Sequence, residues 1–100
     1  MLAFQALADP TRLRIVEMLA GREHAAGELA RRFDMTGPAV SQHLRLLREA
    51  GLVHVRRDAQ RRMYTLNPEG LAEMDAWLSR YRHVWNDRLD ALERDLGGPR

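Results

Sequence analysis

The sequence predicts a mainly α-helical domain carrying one small β-hairpin, and three observations point there. Through most of the chain, apolar residues recur every three or four positions, the period of helices with one buried face. Between about residues 52 and 66 that period gives way to alternation, first through Val53 and Val55, then through Met63, Tyr64 and Thr65. Start and stop signals also divide the helical part: Asp9-Pro10, Gly21, Thr36-Gly37-Pro38, Gly51 and Asn67-Pro68.

A chain of 100 residues, 45% hydrophobic, reads as a single domain, 1–100. Its core is modest, since a chain this short buries only about 60 to 65% of its unfolded surface, and a partner subunit would help. Cysteine is absent, so disulfides and thiolate metal sites are excluded. MLAFQALADP lacks the basic start and long apolar run of a secretion signal, and no window approaches a membrane span, so a cytoplasmic protein is expected.

Leu2 to Ala8 is a short apolar helix, closed where Asp9 can cap the next helix and Pro10 can begin it. In that second helix Leu13, Val16, Leu19 and Ala20 form the expected stripe, broadened by Ile15 and Met18, and Gly21 ends it. Glu28 to Phe33 gives a short third helix with Leu29, Ala30 and Phe33 inward, broken by Asp34-Met35-Thr36. The fourth, capped by Thr36, carries Val40, Leu44 and Leu47 to the core and stops at Gly51. Strands over Leu52 to Arg57 and Arg61 to Leu66 flank the turn Asp58-Ala59-Gln60. A last helix over about 68–96, some 42 Å at ~1.5 Å per residue, carries an apolar row from Leu71 to Leu96 and stops at Gly97-Gly98-Pro99.

Short helix, three-residue break, longer helix and basic hairpin make a helix-turn-helix, about 26–50, followed by a wing, about 52–66. The fourth helix opens with small and polar residues, which suits an element entering the major groove by its N-terminus. Gly37, Pro38, Ala39 and Ser41 keep that approach close, while Thr36, Ser41, Gln42 and His43 offer donors and acceptors. Gln42 suits an adenine edge, because its amide can bond one bidentately, and His43 suits a phosphate. The hairpin tip reads RRDAQRR, placing Arg56, Arg57, Arg61 and Arg62 on its two arms. All 16 basic residues are arginine, and although the net charge is only +2, residues 31–62 hold eight arginines against three acids. A basic zone in a nearly neutral chain points to a polyanion surface.

ALADPTRLRIVEML, ELARRFDMTGPAVSQHLRLLREAGLV and RRDAQRRMYTL, in that order, resemble the ArsR/SmtB family of bacterial winged-helix repressors over about residues 4–96. The resemblance implies a homodimer on a pseudo-palindromic double-stranded DNA operator, associated with the nucleoid when bound and released by an effector. By position, Thr36, Gly37, Pro38, Ala39, Ser41, Gln42 and His43 fall on the major-groove element, and Arg56, Arg57, Arg61 and Arg62 on the wing. Relatives often carry Gly in the wing turn, where this chain has Ala59-Gln60. Leu71, Leu78, Trp85 and Leu92 lie seven apart, so with Leu2 and Tyr81 they are the expected dimer seam between first and last helices. Trp77, Tyr81 and Trp85 either pack that seam or line a small-molecule effector pocket.

Metal-sensing relatives use a cysteine pair near the start of the helix-turn-helix, where this chain has HAAGEL, or Asp-x-His and His-x-x-Glu (or His) on the last helix. Counted from Asp75, the three later ligand positions hold Trp77, Arg88 and Ala91, which are not zinc ligands. His83, Asp87 and Asp90 share helical spacing, but surface acids beside arginines account for them; neither a metal nor a cofactor is expected. Ser41 and His43, two apart on a helix, do not face each other, and with neither a phosphate loop nor a carboxylate pair an enzyme is not expected. A winged helix that binds protein is the nearer rival, and four arginines at the tip argue against it.

Overall fold

The computed structural model describes residues 2–97, and its helices begin and end where the caps stand. Helix α1, Leu2–Leu7, leads to Asp9, whose carboxylate accepts from the Arg12 backbone N–H at 3.0 Å and caps α2, Pro10–Gly21. Strand β1, His24–Ala25, runs directly into α3, Ala26–Arg32, which starts two residues before the expected position. Helix α4, Gly37–Glu49, is capped by Thr36 Oγ1 accepting from the Ala39 N–H at 3.2 Å. The wing strands are β2, Val53–Asp58, and β3, Arg61–Leu66; α5 spans Pro68–Gly97, and the Gly98-Pro99 stop signal lies outside the described residues.

Both helices of the central pair end in the same way. After α4, the Gly51 N–H reaches the Arg48 carbonyl and the Leu52 N–H the Leu47 carbonyl, each at 3.0 Å, with Gly51 at φ 77°. After α3, the Asp34 N–H reaches Arg31 and the Met35 N–H reaches Ala30, at 3.3 and 2.9 Å, with Asp34 at φ 52°. These paired bonds satisfy carbonyls that the helix leaves open and turn the chain sharply through one left-handed residue. The break between α3 and α4 is therefore a closed Schellman turn.

The sheet has the order β1-β3-β2, all antiparallel, with Val53 opposite Leu66 and Asp58 opposite Arg61. The third strand was not expected. Two residues cannot display alternation; β1 exists because His24 and Ala25 pair with Tyr64 and Met63 on the open edge of β3. Ile15, Leu29, Val40, Leu44, Leu47 and Leu52 are fully buried where α2, α3, α4 and the sheet meet. Helix α2 buries Ile15, Val16 and Leu19, whereas Leu13 and Ala20 are exposed. Its sequence is apolar on more than one side, so periodicity alone misplaced its inward face.

Helix α5 starts against the α4–β2 corner. Asn67 Nδ2 donates to the Gly51 carbonyl at 2.8 Å, and a Cβ at Gly70 would overlap that same carbonyl. Only Met74 of this helix is buried, and every residue from 80 to 90 is exposed. These elements make a mainly α winged helix-turn-helix, with a long helix projecting from its body.

Candidate nucleic-acid interface

Helix α4 buries Val40, Leu44 and Leu47, which puts Gln42 and Arg45 on the opposite side at about 100° per residue. Thr36, Gly37, Pro38, Ser41 and Gln42 are exposed and Ala39 is half-buried, so the expected groove-facing residues gather on one open surface. Arg45 belongs with them, one turn beyond Ser41 and Gln42. Its Nη2 donates to Gln42 Oε1 at 2.9 Å. The three-residue spacing of this pair is the signal in the sequence that could have found it.

His43 is the exception. Its side chain is only 19% exposed, and Nδ1 lies 3.3 Å from Arg12 Nη1 and 3.9 Å from Asp9 Oδ2. The residue sits on the flank of α4 that packs against the start of α2, where its side chain is partly covered. Arg12 also donates from Nε to the Ala6 carbonyl at 2.7 Å, so one guanidinium joins α1, α2 and α4. Asp9 is held below the usual carboxylate range, first by the Arg12 backbone N–H. His43 therefore helps fix the angle of α4 from behind.

All four wing arginines are exposed, but they divide into two pairs. On one face of the hairpin, Arg56 makes a two-pronged bond to Glu23, at 2.6 and 3.2 Å, and Arg61 reaches Asp58 at 3.2 Å. On the other face Arg57 and Arg62 stand directly opposite each other, and among the described residues no carboxylate pairs with either. The Glu23 contact ties the wing to the loop before β1. Next to it, Glu28 is drawn down to about 2, chiefly by its bond from Arg22 at 2.6 Å and further by His24, whose Nδ1 lies 3.1 Å away. The turn between the arms puts Ala59 at φ 57°, the conformation that Gly at this position would adopt without strain.

A family model described as a helix-turn-helix domain matches residues 7–56. The transcriptional regulator Rv2034 of Mycobacterium tuberculosis is 52% identical over 79 residues, covering 79% of this chain and 74% of its own. Among solved structures, an ArsR family transcriptional regulator, RHA00566, superposes with a TM-score of 0.77 at 30% identity, over 85% of this chain and 88% of its own. The chain belongs to the ArsR/SmtB family. A further family structure, the homodimeric winged helix-turn-helix DNA-binding domain Mb0332 of Mycobacterium bovis, matches at TM-score 0.67 and 30% identity over 82% and 76% of the two chains. This ArsR/SmtB chain is thus a DNA-binding transcriptional regulator and not an enzyme.

The expected dimer seam divides as well. Leu2, Leu78, Tyr81, Trp85 and Leu92 are exposed, joined by Val84, Leu89 and Leu96, which continue the same helical row. Leu71 instead packs against the core of its own chain, because the first turn of α5 is still docked on the α4–β2 corner. The Trp77 and Tyr81 rings pack tilted with centres 4.2 Å apart, and Trp77 meets Phe4 of α1 at 4.9 Å. Trp85 stands apart from them, 60% exposed. Among the described residues no helix is long and apolar enough to cross a membrane.

Proposed function

We propose that this ArsR/SmtB chain is a homodimeric repressor of a pseudo-palindromic operator, with α4 in the major groove and the wing along the neighbouring backbone. Thr36, Gly37, Pro38, Ala39, Ser41, Gln42 and Arg45 form the groove surface, while Arg57 and Arg62 meet phosphates. The observation that carries the reading is the unanswered arginine pair of the wing, since cations with no partner of their own are free to displace counterions from DNA. Arg56 and Arg61 already have carboxylate partners and contribute less. The proposed place of action is the bacterial cytoplasm, on the chromosome.

Dimerisation rests on the apolar row from Leu78 to Leu96, in which exposures run from 42 to 74%. Residues three or four apart along one helix suit helix pairing, and a face this long is unusual on a protein that stays single. Tyr81 of that row packs against Trp77, which in turn meets Phe4, and this favours packing over an effector pocket. Substituting Trp85→Glu tests both halves of the reading: sedimentation is expected to show single chains, with operator binding abolished in the same samples. A variant that stays dimeric moves the interface elsewhere.

A further inference from the structure

In the Gln42–Arg45 contact on the exposed side of α4, the guanidinium can only donate, so the Gln42 atom 2.9 Å from Arg45 Nη2 is its carbonyl oxygen Oε1. The amide NH2 and one lone pair of Oε1 are therefore left open on that side chain. Among the described residues no carboxylate pairs with Arg45, so its remaining N–H groups are also uncommitted. Both side chains are exposed and stand on the side of the helix away from Val40, Leu44 and Leu47.

We propose that Gln42 and Arg45 act as one hydrogen-bonded reading unit in which donors outweigh acceptors, and that the base it selects is guanine rather than adenine. The inference rests on the reading of α4 as the major-groove element and makes Arg45 a specificity-determining residue. A free glutamine amide suits adenine because that edge offers one acceptor, N7, and one donor, the N6 amino group. Guanine offers two acceptors, N7 and O6. One lone pair of Oε1 is taken by the cation, and the positive charge beside the other repels the adenine amino group while attracting O6, so the amide NH2 is the group best placed to bond a base. At the same time Arg45 narrows the rotamers available to Gln42, so the amide enters the groove already oriented. Paired in this way, a residue suited to adenine becomes a reader of guanine.

Selection from a randomised duplex library, carried out with wild type, Gln42→Ala and Arg45→Met, tests the proposal. Arg45 is exposed and its substitution removes no core contact; melting curves confirm that each variant is folded. The base position read by Gln42 is the one whose preference disappears in Gln42→Ala. At that position the wild type is expected to select guanine, and Arg45→Met to shift the guanine-to-adenine ratio by about tenfold toward adenine, as one good bidentate contact allows. Adenine in the wild-type selection overturns the proposal. So does an Arg45→Met variant that keeps guanine and merely binds all sequences less well, which makes Arg45 a phosphate contact. A wild type that retains DNA with no sequence preference, or retains none, fails the operator reading itself and is distinct from both.

Discussion

Arg57 and Arg62 occupy directly opposed positions on β2 and β3, two like charges facing each other at the end of a hairpin, and among the described residues no carboxylate pairs with either. Like charges in that register destabilise a strand pair by a few tenths of a kcal/mol, so the free protein holds a small strain that an added anion relieves. The same hairpin neutralises Arg56 with Glu23 and Arg61 with Asp58 on its other face. The wing thus braces itself through one arginine pair, and the other has no carboxylate partner among the described residues.

Removing an arginine should therefore have opposite effects on folding and on binding. For Arg62→Ala, the melting temperature at low salt is expected to stay level or rise slightly, while affinity falls for all sequences and the salt slope drops by about 1 for each phosphate no longer neutralised. Arg61→Ala should weaken binding less. Titrations at several salt concentrations check this, and equal weakening by the two substitutions would count against the division of the wing.

Gly70 lies in the first turn of α5, where alanine ordinarily stabilises a helix by up to about 1 kcal/mol. Here the sign should reverse. A Cβ at this position overlaps the Gly51 carbonyl, which is backbone and already accepts from Asn67 Nδ2. Gly70→Ala is expected to cost about 2 kcal/mol or more in chemical denaturation, because α5 must shift off the corner. An unchanged midpoint would show that α5 can leave the corner at no cost.

Acid stability carries a second signature. Glu28 is lowered to about 2 from an ordinary 4.5, mainly by the Arg22 hydrogen bond. A lowered carboxylate contributes stability above its unfolded value and loses it as pH falls through its folded one. The Glu28 contribution should then be complete above about pH 5 and fade between 4.5 and 2. Glu28→Gln should flatten the stability curve in that window, and the two proteins should converge toward about pH 2. Parallel curves across the whole window would exclude the cluster as the cause.

Much of this was legible because the signals are local. Thr36, Gly51 and the spacing of Val40, Leu44 and Leu47 mark the ends and the inner face of α4 within one stretch of chain. The arginines of the wing were equally plain, but their division into pairs was not, since Arg56 depends on Glu23, 33 residues earlier. The surroundings of His43 were hidden for the same reason. Its contacts with Arg12 and Asp9 come from the packing of α4 on α2, which no helical periodicity encodes. Strand β1 was invisible because two residues have no pattern, and Leu71 went to the core because the docking of α5 is set by Asn67 and Gly70 rather than by its heptad position.

The central claim is that two copies of this chain present their α4 helices to one operator. Sequencing the DNA that the protein retains in cells tests it most directly. The account predicts an enriched inverted repeat whose half-sites are centred about one helical turn apart, roughly 10 base pairs, as two helices in successive major grooves require. A single unrepeated half-site, or retained DNA with no enriched sequence, would contradict it.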